Sequence, residues 1–323
     1  MKNDRVLRIS VTDRCDLRCI YCMPESGVTL VRPADLLTYE EIETVARAAM
    51  TVGVRRFRIT GGEPLVRRGI KALVEELARL EPDDLALTTN GLHLREMAAD
   101  LKAAGLRRVT ISLDTLRKDR FETITRRTGF DLILEGIEAA QRAGLAPIKI
   151  NMVVIRSVND DEIVDFVRFA ELEKVEVRFI ELMPTSGLSP ECKELGSWRP
   201  SLFVKGEEIR AGIAGAFGAL ELSPSPGGVA RVYHLKSGAR VGFITPVSEP
   251  FCRGCERLRL SADGRLKLCL FDKEGVDMKM ALRVRHAGGR KIEAIIQTAL
   301  RDKEKWERGS LDALSSDMFK IGG

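Results

Sequence analysis

Between residues 6 and 182 the chain alternates short apolar runs with longer amphipathic stretches, six times over. Strand candidates fall at 6–11, 56–60, 85–89, 109–113, 148–155 and 175–182. Helical periodicity fills 37–50, 70–80, 94–104, 132–143 and 163–172 between them. The first of these helices carries Thr38 and Glu41 at capping-box spacing and reaches Gly53 just past its end. Strands alternating with helices make right-handed βαβ units and a parallel sheet. Six units are fewer than the eight of a closed barrel. The expected fold is therefore α/β, an open or partial (β/α)6 TIM-like barrel.

Strands of such a barrel are normally apolar on both faces. Here four of them place polar residues at alternate positions: Arg8 with Ser10, then Arg56, Arg58 and Thr60, then Thr110, Ser112 and Asp114, then Lys149 with Asn151. Period-two geometry sends each set to one side of the sheet. A single such strand reads as a solvated edge, but four together read as a polar lumen. Cations inside a lumen without counter-charge are costly, so an anionic ligand is expected there, and a triphosphate would suffice.

Directly after the first strand come Cys15, Cys19 and Cys22, a C-x₃-C-x₂-C triplet with Tyr21 before its last member. Three thiolates so close together suit one metal centre, since thiolate is the ligand that iron–sulfur clusters and zinc favour. A [4Fe–4S] cube has four iron corners, so three cysteines leave one iron open. The loop Thr60-Gly-Gly-Glu-Pro64 follows the second strand, at the rim where barrel enzymes put their chemistry. Its glycines allow close backbone approach, and Glu63 can accept from an ammonium group. By itself this loop is also an ordinary turn. Thr88–Gly91 and Ser112-Leu-Asp114 end the third and fourth strands, polar at the same rim.

After Met183-Pro184 the periodicity breaks, and 184–201 reads as a loop rich in Pro, Ser and Gly. The boundary divides the chain into 1–185 and 186–323, one domain for each cysteine triplet. A helix is expected over 207–217 and strands over 229–235, 240–244, 258–261 and 266–270, the last two flanking the hairpin signal Asp263-Gly264. The second triplet, Cys252, Cys255 and Cys269, spans that hairpin; from spacing alone, structural zinc and a second cluster with an open iron both remain. Cys192 reads as an incidental loop thiol. Arg257 and Arg259 alternate on one strand and share a face.

The net charge of +5 is too mild to argue for nucleic acid. The start Met1-Lys-Asn-Asp-Arg has no apolar core of a leader, and no run approaches a membrane span, so a cytoplasmic protein is expected.

The first triplet followed by Gly-Gly-Glu-Pro resembles the radical S-adenosylmethionine (SAM) enzymes. Leu7–Asp13, both triplets, Arg58–Pro64, Thr88–Gly91, the Lys149 strand, Phe179–Met183, Arg257 with Arg259 and the terminal Gly322-Gly323 together resemble the GTP 3′,8-cyclase family of molybdenum-cofactor biosynthesis. Asp16 departs from it, standing where asparagine is common. The resemblance implies two [4Fe–4S] clusters, on Cys15, Cys19 and Cys22 and on Cys252, Cys255 and Cys269, with SAM on the first and guanine facing the second. It implies that a 5′-deoxyadenosyl radical takes the 3′ hydrogen of GTP and that C3′ then attacks C8, giving 3′,8-cyclo-7,8-dihydro-GTP. SAM contacts are implied for Tyr21, Gly62, Glu63, Ser112 and Met183. GTP contacts are implied for Arg8, Arg58, Thr89, Lys149, Arg257, Leu258 and Arg259, with Gly322 and Gly323 contributing from the tail. An electron donor, a downstream pyranopterin monophosphate synthase and a homodimer are implied as partners. Rival readings are a radical SAM enzyme with an auxiliary cluster that modifies a peptide, and an iron–sulfur electron carrier or zinc-stabilised binding module.

Overall fold

The structure is a computed structural model that describes residues 5–184, 200–223, 228–252, 254–283 and 289–306. Six strands, β1 (Val6–Ser10), β2 (Arg56–Thr60), β3 (Asp84–Thr89), β4 (Arg108–Ser112), β5 (Lys149–Val154) and β6 (Glu176–Glu181), lie parallel in sequence order. Between them run α1 (Tyr39–Thr51), α2 (Ile70–Arg79), α3 (Leu94–Ala103), α4 (Lys118–Thr125), α5 (Phe130–Arg142) and α6 (Ile163–Leu172). The Thr38–Glu41 capping box forms as its spacing requires. The short, polar α4 carries too little apolar periodicity to be read from sequence.

The remaining strands extend this sheet at both ends. At one end β9 (Arg240–Ile244) pairs parallel with β6, then β8 (Arg231–His234) and β7 (Glu221–Leu222) follow antiparallel. At the other end β10 (Arg257–Leu260) pairs parallel with β1, then β11 (Arg265–Lys267) and β12 (Val276–Asp277) follow antiparallel. Among the described residues the result is one sheet of 12 strands, with β12 at one end and β7 at the other, so the barrel is open, as six βα units require. The Asp263-Gly264 turn joins β10 to β11, with Gly264 at φ +86, the left-handed region that glycine enters without strain.

Outward-facing strand residues such as Leu7, Ile9, Phe57, Ile59, Ile111, Met152 and Val177 meet the helices and are fully buried. Burying a side chain of that size contributes roughly 1.5–3 kcal/mol. Phe179 of β6 stacks on Phe243 of β9 at 5.8 Å, and Tyr233 meets Phe243 edge-on at 5.5 Å. These rings fix one added edge of the sheet to the six-strand unit. Along the chain come α7 (Gly206–Phe217), α8 (Met278–Arg283) and α9 (Gly289–Lys305); α9 packs on α1 and had no counterpart in the expected elements.

Candidate active site

The inward strand positions surround a cavity of about 810 Å³. The registers set Arg8 beside Arg58 on one side and beside Arg259 on the other, a row of three guanidiniums across β10, β1 and β2. Burial and then the charges of Arg259 and Arg58 hold the Arg8 pKa well below the usual arginine range. Burial, then Arg108, lowers Arg58 to about 9; burial, then Arg257, lowers Arg259 to about 10. Burial, then Arg178, brings Lys149 down to about 7.

Counter-charge is scarce. Glu176 is shared by Lys149 at 3.7 Å, Arg178 at 2.7 Å and Arg240 at 3.0 Å. Asp84 is shared by Arg58 at 3.7 Å and by Arg108. Among the described residues, ten Lys and Arg side chains line the cavity against four Asp and Glu. Thr110 Oγ1, Asn151 Oδ1 and Arg257 Nε are buried there without a hydrogen-bond partner. Excess positive charge beside unmade hydrogen bonds is the physical signature of a polyanion site.

The first triplet lies in the loop after β1, above the carboxyl ends of the strands. The C-terminal turn of α4 holds it, since the Arg18 and Ile20 amides donate to Thr125 and Ile124 carbonyls at 2.9 Å. Tyr21 donates its phenol to Asp114 at 2.6 Å. Gly62 passes so close beneath the loop that a Cβ there would lie 2.3 Å from the Arg14 carbonyl oxygen. Burial, then the Glu63 charge, pushes the Cys15 thiol up to about 12; burial, then Asp114, pushes Cys19 well above the thiol range. Partly buried thiols beside acids favour a cation that would take their protons' place, and iron does so. The donor set therefore fits a [4Fe–4S] cluster.

Glu63 is fully buried, and burial raises its pKa to about 7 against its hydrogen bonds. It accepts from Leu65 N at 2.9 Å, Thr89 Oγ1 at 2.8 Å and Asn90 N at 2.6 Å. The carboxylate thus ties the Gly-Gly-Glu turn to the end of β3.

Cys252, Cys255 and Cys269 line the cavity itself. Burial works against the Cys255 thiolate, but Arg257 and Lys303 outweigh it and bring that pKa down to about 7. Among the described residues no group of three or more His, Cys, Asp or Glu is drawn tight enough for a single ion. A four-iron cube meets each thiolate at a different corner and needs no such convergence. Three thiols with Arg257 and Lys303 beside them suit an anionic cluster by their donor chemistry, and they lie against the basic cavity.

Of the residues expected to meet SAM or GTP, Arg8, Arg58, Lys149, Met183, Arg257 and Arg259 line the cavity. Thr89 directs its hydroxyl to Glu63, and it is Thr88 that faces the cavity. The Leu258 side chain is fully buried on the opposite strand face from Arg257 and Arg259. Tyr21, Gly62, Glu63 and Ser112 gather at the rim with the first triplet. Gly322, Gly323 and Cys192 lie outside the described residues. Sequence reasoning missed Arg108, Arg178, Arg240, Lys303 and Trp306. Arg108 precedes Thr110 by two, and Arg178 shares a face with Glu176, so strand alternation could have found both. Lys303 falls on the apolar stripe of α9, so helical periodicity could have marked it too.

The family model for the radical SAM superfamily matches residues 9–170, and that for Molybdenum Cofactor Synthesis C matches residues 175–308. The chain is 48% identical to the GTP 3′,8-cyclase of Pelotomaculum thermopropionicum over 98% of this chain and 97% of that protein. It is 47% identical to the GTP 3′,8-cyclase of Moorella thermoacetica over 86% and 84%, and 44% identical to that of Geobacter sulfurreducens over 98% and 96%. Among solved structures, Streptococcus suis SuiB bound to S-adenosylmethionine is similar with a TM-score of 0.64 at 16% identity, covering 88% of this chain and 67% of SuiB. Methylornithine synthase (PylB) gives 0.52 at 16% identity, covering 91% and 86%. At such identities these two speak to the fold alone.

Proposed function

The chain belongs to the GTP 3′,8-cyclase family of the radical SAM superfamily, and from that membership we infer how its own residues carry the reaction. It is a radical SAM lyase that converts GTP to 3′,8-cyclo-7,8-dihydro-GTP, in the first step of molybdenum cofactor biosynthesis, with two [4Fe–4S] clusters and SAM as cofactors. When bound, the first cluster and SAM supply the one-electron chemistry that removes a hydrogen from the ribose.

In this reading Cys15, Cys19 and Cys22 hold the first cluster and Cys252, Cys255 and Cys269 the second. The units that carry them are 1–185 and 186–323. Gly62 brings the backbone against the loop of the first triplet, and Met183, Tyr21 and Ser112 frame SAM at the rim. The row Arg259–Arg8–Arg58 takes the triphosphate, with Arg257 and Lys149 beside it. Charge pairing there fixes the ribose and base between the two triplets, and orientation of this kind is the protein's main contribution to such a reaction. Electrons come from a separate donor, the product passes to a pyranopterin monophosphate synthase, and the working form is a cytoplasmic homodimer. Among the described residues no helix is long and apolar enough to cross a membrane.

The observation that carries the reading is one cavity lined both by this cation excess and by the second thiol triplet. Its test is equilibrium binding of GTP and GMP to the anaerobically reconstituted protein. GTP binds at least tenfold more tightly than GMP, and Arg257→Ala weakens GTP by ten- to a hundredfold, since a charge-assisted hydrogen bond contributes about 1.5–3 kcal/mol. Equal affinities for GTP and GMP, or an unchanged Arg257→Ala variant, would remove the triphosphate from this cavity.

A further inference from the structure

Helix α9 buries Ile292, Ile296, Ala299 and Leu300, the regular apolar stripe of a core-facing helix. The next position on that stripe is Lys303, only 6% exposed. Lysine in a core stripe is rare unless something pairs with it. Its Nζ donates to the Leu268 carbonyl at 2.7 Å and stands 5.2 Å from the centre of the Trp306 ring. Both partners are uncharged, so neither compensates a buried ammonium. Lys303, Trp306 and Leu268 line the same cavity wall as Cys252, Cys255 and Cys269, and Leu268 immediately precedes Cys269.

We propose that Lys303 is a positioning residue for the second cluster, its ammonium a counter-charge of the three-thiolate site alongside Arg257 and its hydrogen bond the clamp on the turn after β11 that carries Cys269. This rests on the reading that the second triplet holds a cluster. Three thiolates on a four-iron cube leave it anionic, and each added electron makes it more so. A fixed cation nearby stabilises the more negative state, and its effect is large where water is excluded. Lys303 thus binds the cluster more firmly and raises its reduction potential. The aromatic face of Trp306 keeps the ammonium in place without neutralising it.

The test compares Lys303→Met and Lys303→Arg in the full-length reconstituted protein. Iron and sulfide content is measured first, and then an anaerobic redox titration is followed by electron paramagnetic resonance with and without SAM. Wild-type protein that takes up a single cluster would sink the reading of the second triplet itself. With two clusters present, the SAM-insensitive couple belongs to the second triplet. In Lys303→Met that couple shifts to more negative potential, or its iron is lost, while the SAM-sensitive couple stays. Lys303→Arg keeps both near wild type. Two variants that behave alike, whether both intact or both damaged, would overturn the assignment, because a counter-charge must distinguish methionine from arginine.

Discussion

The Tyr21 phenol donates to Asp114 Oδ2 at 2.6 Å, while Asp114 Oδ1 accepts the Val153 amide at 2.8 Å. One carboxylate at the end of β4 therefore joins the loop of the first triplet to the end of β5. Burial raises the Asp114 pKa to about 6 even with both bonds made, so the group is placed there at a cost.

Replacing Asp114 by Ala leaves a buried phenol and a backbone amide without acceptors, for a loss of roughly 1–3 kcal/mol. Asp114→Asn retains an acceptor of the same shape and costs less. Urea unfolding of the anaerobic protein measures the difference. Equal midpoints for the two variants would show that the retained acceptor at this position contributes nothing.

Gly62 has a different constraint, since an added Cβ would lie 2.3 Å from the Arg14 carbonyl oxygen and 3.0 Å from that of Asp13. Both obstacles are backbone, so Gly62→Ala must push the loop of the first triplet aside at a cost of roughly 1–3 kcal/mol. SAM affinity and iron at the first site fall, whereas GTP affinity stays near wild type. Unaltered SAM binding in Gly62→Ala would refute the close approach.

With Lys149 beside the triphosphate, as proposed, GTP binding depends on pH. Its pKa in the free site is about 7, so above that it is largely uncharged, and a bound triphosphate raises it toward the ordinary lysine value. Binding then takes up a proton, and affinity falls as pH rises above 7, by up to about tenfold per unit for one proton. Titration calorimetry in buffers of different ionisation enthalpy counts that proton directly. Lys149→Met flattens the profile, and a wild-type profile already flat from neutral to alkaline pH would contradict the assignment.

How much of this was legible in the sequence depended on range. Arg8, Arg56, Arg58, Thr110 and Lys149 could be set on one face because strand periodicity is local, and they do line one cavity. The Thr38 cap and the Gly264 turn were legible for the same reason. The places of β9 and β10 were not: each pairs with a strand far away in sequence, which no local pattern encodes. Lys303 sits on the apolar stripe of α9, which helical periodicity could have marked, but its proximity to Cys255 and Leu268 depends on how α9 docks. At β3, the local sequence could not say which of two adjacent threonines faces inward; the hydrogen bond from Thr89 to Glu63 does.

In the proposed reading a SAM-dependent radical generator at the rim acts on a nucleoside triphosphate in the basic cavity beneath it. Its most direct test is a single-turnover incubation of the anaerobically reconstituted protein with SAM, a strong reductant and GTP deuterated at C3′, analysed by mass spectrometry. The expected products are 3′,8-cyclo-7,8-dihydro-GTP and 5′-deoxyadenosine that has gained deuterium. Deuterium-free 5′-deoxyadenosine, or GTP recovered intact while SAM is consumed, would contradict it.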